Sequence, residues 1–405
     1  MVPKALPLSD EAPELQIVLL IATAAGLFLG GLCAAVIGSI KLPMARRLSM
    51  DEGRVGILVA SFSITFLPVV ILSGWMIDAF GAGLVLLVSL LGAAIGLVLM
   101  ALAGQFMQAI CAAIFLSVAW STLINVVHVM IPLAFPGSIV TGTNVADVFF
   151  SLGALTTPLL AAQMVRGETY RGLLFLIAAV AAGAGAFCLL LPAAPLVPKV
   201  EAAGEGISFL QQPRIWLCGI ALCLFGPIET TFATWTSSYL VEKGFPDRFG
   251  TRMISGFWGA SMISRLVVAF LLPLLWFSTE ETWIVLVLAV VATLVTLLIV
   301  ISPSRRAAPW LVVAAGLACG PLFPTVLAIL FLGFDPSMHG RALGTTLAIG
   351  NLGYTLTPLV VGLVARKTSV QRSFIVLTLS GIGLIGVSVA LMLHVSLAEP
   401  LLAGH

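Results

Sequence analysis

Apolar residues in this chain run in long unbroken blocks separated by short polar breaks. Blocks of spanning length predict twelve helices, near 15–40, 54–77, 82–104, 106–132, 139–165, 171–192, 214–241, 250–276, 282–302, 308–333, 340–365 and 371–395. Barrel strands would alternate with a period of two, and these blocks do not. The longest break, 193–213, holds Pro195, Pro198, Lys199, Glu201, Gly204 and Glu205, which is linker composition. The chain therefore divides into a six-helix unit at 1–192, a linker at 193–213 and a second six-helix unit at 214–405. Ser49 and Glu52 are spaced as a capping box ahead of the second span. Leu152–Arg166 is echoed by Leu352–Arg366, with six of fifteen positions identical at one constant offset. Two similar halves of membrane spans suit alternating access, in which two bundles rock about a central site.

Composition agrees with the pattern. The chain is 60% hydrophobic and 9% charged, with a mean hydropathy of +1.17. A water-soluble protein could not hide that much apolar surface, so the expectation is an all-α integral membrane protein. A net charge of +2 argues for no nucleic-acid partner. The six cysteines lie inside apolar runs and read as small packing residues, with no metal or disulfide framework. The first apolar run is too long for a signal-peptide core and is expected to be a retained span. A GxGxxG match at Gly381, Gly383 and Gly386 sits inside an apolar helix and reads as close helix packing. There is no P-loop, HExxH or GxSxG match, so no cofactor, ATP drive or enzymatic chemistry is expected.

An ionisable group inside a bilayer is costly and marks a candidate site. The candidates are His128 in span 4, Asp147 in span 5, Glu229 in span 7 and Arg265 in span 8, with the amides Asn125, Asn144 and Asn351. Spans 3, 6, 9 and 12 have no such interior residue and are expected to be outer buttresses. Helical spacing puts Ser121, Asn125 and His128 on one face, and Asn144, Asp147 and Ser151 on another. Trp258, Ser261 and Arg265 share a third, and Asn351 and Tyr354 cluster on span 11. Glu229 and Arg265 are either a structural ion pair or gating and substrate groups. Asp147 has no evident basic partner in its own half. His128 reads first as a packing residue, Asn125 and Asn144 either as helix bridges or as site groups. Trp120, Trp235 and Trp258 are either core or a sugar-stacking platform.

Gly74, Asp78 four residues on and Gly81 three after close span 2. This run resembles the loop 2–3 signature of the major facilitator superfamily. Its glycines permit a tight turn, and the carboxylate can dock on helix ends and lock one conformation. The resemblance implies twelve helices in two pseudo-symmetric bundles. Within the superfamily the chain is similar to the fucose and glucose/galactose permeases. Asn144, Ser151, Leu152, Gly153 and Pro158 follow that family's span-5 pattern, and Asn125 its span-4 asparagine. Glu229, Trp235, Tyr239 and Leu240 follow span 7, Trp258, Gly259 and Arg265 span 8, and Gly316 to Pro324 span 10.

The departures are chemical. Two acids of the family's proton-coupled members align with Ser39 and Ser121, the span-5 glutamine is Asp147, and a sugar-contacting asparagine is Phe150. Asp147 is therefore expected to take over as the coupling or substrate-binding carboxylate. The function expected is secondary active or facilitative transport of a small polar solute, a sugar or related compound. A proton or sodium ion is the expected coupling ion, and the protein is expected to be a monomer in the plasma (inner) membrane. Efflux of amphipathic compounds is the alternative, and a transporter-like sensor is the reading of another class. The family orientation places both termini in the cytoplasm. Yet Lys41, Arg46, Arg47, Arg54, Arg166, Arg171, Lys243, Arg248, Arg252, Arg305, Arg306, Arg366, Lys367 and Arg372 then lie outside, against Lys4, Lys199, Arg214 and Arg341 inside. The positive-inside rule alone gives the opposite orientation, and the family orientation is kept on the strength of the Asp78 signature.

Overall fold

The computed structural model describes residues 12–403 except 51–53, 55–56, 59–60, 63–64, 136–137, 166–168, 190–207 and 272–280. The first half is α1 (Ala12–Arg47), α2 (Phe66–Phe80), α3 (Ala82–Leu102), α4 (Phe106–Ala134), α5 (Ile139–Met164) and α6 (Arg171–Cys188). The second half is α7 (Pro213–Glu242), α8 (Asp247–Leu266), α9 (Glu281–Ile301), α10 in two pieces (Ala308–Cys319 and Leu322–Leu332), α11 (His339–Lys367) and α12 (Ile375–Ala403). Among the described residues, eleven spans are long and apolar enough to cross a membrane, and α2 is the shorter twelfth. Most of the linker and Glu52 of the expected capping box lie outside the described residues; Ser49 closes α1 in a turn with φ 49°.

Each half packs in the same way: α1 lies along α5 as α7 lies along α11, and α3 pairs with α6 as α9 pairs with α12. The sequence repeat explains the first correspondence. A Cβ at Gly153 would collide with the Phe28 carbonyl of α1, and one at Gly353 with the Cys223 carbonyl of α7. Lipid gives helices no hydrophobic reason to associate, so close backbone approach through small residues carries the packing. In α7 the approach has a further cause. Pro227 has no N–H for the carbonyl four residues back, which is that of Cys223, so this oxygen is left to face Gly353.

The outer helices turn apolar side chains outward. Leu84, Val88, Leu91, Ile95, Leu99 and Leu102 of α3 are all exposed, in a stripe at helical spacing, and α9 and α12 present similar stripes. Surfaces of this kind are stable against lipid tails and not against water. Among the described residues, none of α3, α6, α9 or α12 lines the central cavity.

The two bundles close against each other at one face, where α2 meets α11 so tightly that a Cβ on Gly74 or Gly340 would strike the other helix's backbone. Gly81, at φ 86°, makes the one-residue turn from α2 to α3, a conformation that residues with side chains rarely adopt. At the opposite face the cavity opens, past the exposed Ala34 and Gly38 of α1 and Thr234 of α7.

Candidate functional site

The cavity between the bundles has a volume of about 480 Å³ and is walled by α1, α2, α4, α5, α7, α8, α10 and α11. Its floor holds a connected cluster of five side chains. His128 Nε2 lies 3.1 Å from Asp147 Oδ1, and His128 Nδ1 lies 2.6 Å from the Ile124 carbonyl. Arg265 Nη2 lies 3.7 Å from Asp147 Oδ2 and 3.9 Å from Glu229 Oε1. Tyr354 donates its hydroxyl to Glu229 Oε2 at 3.1 Å. His128, Asp147 and Arg265 are almost fully buried, whereas the Glu229 side chain keeps 13% of its surface. Glu229 is thus the charge most open to the cavity.

Arg265 is the keystone, and the local sequence prepares its partners. Its Nε donates to the Gly320 carbonyl at 2.8 Å. That oxygen is available because Pro324, four residues on, has no N–H to give it; the same stretch breaks α10 into two pieces. Arg265 Nη1 crosses to the other bundle, donating to the Asp147 carbonyl at 3.1 Å and to the Ser151 hydroxyl. A π-turn at Val267–Leu271 follows Arg265, and there Thr141 of α5 donates to the Ala269 carbonyl at 3.1 Å. Arg265 and Thr141 therefore both tie α5 to α8.

The closed face carries a second cross-bundle contact. Asp78 Oδ2 accepts from the side-chain Nε of Arg341 at 2.8 Å and from the Arg341 backbone N–H at 3.2 Å. The carboxylate thus caps the first turn of α11, where the helix dipole favours a negative charge. The Arg341 guanidinium also stacks over Trp75, 4.9 Å from the ring centre.

The described geometry agrees with what comparison with known proteins finds. Residues 23–313 match the family model of the Major Facilitator Superfamily. The chain belongs to the Major Facilitator Superfamily. Its fold is similar to that of the superfamily transporter FucP in the outward conformation, with a TM-score of 0.77 at 14% identity over 93% of this chain and 99% of that one. It is similar also to the human organic anion transporter MFSD10 (TETRAN), with a TM-score of 0.73 at 18% identity over 92% and 99% of the two chains. A 183-residue stretch is 23% identical to "Bypass of stop codon protein 6" of Saccharomyces cerevisiae, spanning 44% of this chain and 37% of that protein.

Within this superfamily fold, eight of the residues singled out in the sequence line the cavity: Trp120, His128, Asp147, Phe150, Glu229, Arg265, Asn351 and Tyr354. Four others sit elsewhere. Asn125 donates to the Val70 carbonyl and to Ser73, tying α4 to α2, and Asn144 reaches Thr325 of α10 at 3.4 Å. Trp235 packs by Gly362 and Trp258 edge-on to Phe257. Ser39 and Ser121 donate to backbone carbonyls of their own helices, at Ala35 and Ser117. Asp147, without an evident basic partner in the sequence of its half, has one in His128. Sequence reasoning passed over Arg341, although its place among only four cations on that face was a usable signal. It passed over Phe323 too, whose ring meets His128 edge-on at 5.5 Å.

Proposed function

We propose that the protein is a secondary transporter carrying a small polar solute, a sugar or related compound, by alternating access. The carrying observation is the ionisable cluster at the floor of a cavity formed equally by both bundles. A cavity of about 480 Å³ is the size of a small-molecule site. Its polar groups lie where the bundles meet, so a solute held there touches both moving parts. Asn351, Thr355 and Thr230 offer neutral hydrogen-bonding groups on the second bundle's wall, and Trp120, Phe62 and Phe66 an aromatic surface on the first. Trp120 donates its indole N–H to the Gly30 carbonyl at 2.9 Å, so its ring edge is fixed and its face is left for packing. FucP, described as a fucose:proton symporter from E. coli in a second structure at TM-score 0.77, supports the sugar class by its fold alone.

Asp147 is assigned here as the coupling or substrate-binding carboxylate, because Ser39 and Ser121 cannot titrate. Uptake into proteoliposomes under an imposed proton gradient tests this. Asp147→Asn should lose pH-dependent uptake; full pH-dependent uptake by that variant ends the assignment. Aromatic lining by Phe62, Phe66, Trp120, Phe150 and Phe323 favours a second reading, export of amphipathic compounds. Thermal-shift screens with a sugar panel and with a panel of amphipathic drugs separate the two, and counterflow with the stabilising ligand separates either from a sensor.

A further inference from the structure

We infer that His128 and Asp147 together bind one proton, and that this proton controls a latch between the bundles at α5 and α8. The inference rests on the transport reading above and adds to it a histidine that no family resemblance singles out. Both ring nitrogens of His128 face oxygens, Ile124 O at 2.6 Å and Asp147 Oδ1 at 3.1 Å. A backbone carbonyl can only accept, so Nδ1 carries a hydrogen. A neutral imidazole then offers Nε2 as an acceptor, and an ionised carboxylate is also an acceptor. Two acceptors at 3.1 Å need a proton between them. Either the ring is an imidazolium donating to the carboxylate, or the carboxyl group donates to the ring. In both cases the pair holds one proton and has no net charge.

The ionisable groups facing the pair are Arg265 of α8, Glu229 of α7 and Tyr354 of α11. Tyr354 is a hydrogen-bond donor to Glu229, so the second bundle contributes one guanidinium and one carboxylate. With the proton bound, each bundle's share of the cluster is neutral. When the proton leaves to water, Asp147 becomes an unbalanced negative charge in the first bundle, 3.7 Å from a cation in the second. Water is largely excluded there, so the attraction is weakly screened. Deprotonation therefore tightens the α5–α8 contact, and protonation relaxes it toward the bonds of Arg265 with the uncharged acceptors Asp147 O and Ser151. The proton comes from water on the side to which the cavity opens and returns to water on the other, so the cycle balances with no other reactant.

Two measurements on the full chain in lipid test this, with the proton itself as the probe. Infrared difference spectra between about pH 5 and about pH 9 bracket the ordinary titration of an imidazole. The native chain should show a titrating band that Asp147→Asn and His128→Gln each remove and Ser121→Ala keeps. An amide at either position donates without titrating, so both variants retain a hydrogen bond. In a cysteine-free background, a cysteine pair replacing Thr141 and Ala269 reports the latch, because those residues bond across the bundles at 3.1 Å. Cross-linking should be several-fold faster at the higher pH, measured relative to the same pair with Asp147→Asn, which carries the thiols' own pH dependence. A band that survives both variants, or a cross-linking ratio flat with pH, overturns the inference. Uptake that is absent while band and ratio behave as expected overturns the transport reading alone.

Discussion

Removing Arg265 should cost far more stability than neutralising Asp147, although the two are partners. At an effective dielectric constant of about 20, a pair of unit charges 3.7 or 3.9 Å apart attracts by ~4 kcal/mol. Arg265→Met loses the guanidinium that serves both carboxylates. It also strips donors from the Gly320 and Asp147 carbonyls and from Ser151. Breaking a buried pair from one side costs roughly 3–5 kcal/mol, because the remaining charge stays desolvated. Asp147→Asn instead leaves Arg265 and Glu229 as a one-to-one pair, and the new amide can still donate to His128. Its cost should be about 1 kcal/mol, the scale of one net hydrogen bond. Thermal unfolding in nanodiscs should place Arg265→Met about 10 °C below the native chain and Asp147→Asn within a few degrees of it. The double variant should be less damaged than the sum of the two, since it removes one of the stranded carboxylates. The reasoning is refuted if Arg265→Met unfolds within about 1 kcal/mol of the native chain, or if the two substitutions add without coupling.

Gly153→Ala and Gly353→Ala should each cost about 1–3 kcal/mol by forcing apart α1 from α5 and α7 from α11, while Gly38→Ala, which meets nothing within 4 Å, should be neutral in the same unfolding assay. Asp78→Asn should weaken the closed face by about 1–2 kcal/mol, roughly a tenfold shift toward opening there; a cysteine at the buried Ala342 in a cysteine-free chain should react with maleimide correspondingly faster, and an unchanged rate rejects the lock. Helix dipoles account for only part of the lopsided cations: Arg46 and Arg47 close α1 and Arg366 and Lys367 close α11, whereas Arg171 and Arg252 sit near helix N-termini. The Asp78 signature keeps the expected orientation that of the family, with both termini and the linker face in the cytoplasm. A cysteine at Gln212 should then label with an impermeant maleimide only after permeabilisation, and labelling in intact cells gives the opposite orientation.

How far the sequence could be read follows from what each feature had to satisfy. Lipid demands continuous apolar spans, so the helices and their number were legible. The repeated glycines were legible because only a residue without a side chain fits where two backbones touch, at Gly153 and at Gly353. The ionisable residues stood out because lipid rejects them. What they do was not legible, since it depends on neighbours from distant spans. Ser121, Asn125 and His128 share one stripe of α4, yet only His128 reaches the cavity, because α2 lies against the stripe at the level of Asn125. The proton between His128 and Asp147 could not be counted until both ring nitrogens were seen to face acceptors.

One layer was written in the sequence in a form easily passed over. Prolines inside α7 and α10 leave a carbonyl bare four residues back. At Cys223 that oxygen receives Gly353, and at Gly320 it receives Arg265. The first device sets how closely two helices of one bundle approach. The second fixes the guanidinium that bridges both bundles, so it joins packing to chemistry. Without the Gly320 carbonyl, Arg265 would have only the two carboxylates and the α5 contacts to orient it. Its planar fork could then follow whichever carboxylate carried more charge. Held at Nε, it stays between them, and a change of one proton at Asp147 alters the force between the bundles without first moving the cation.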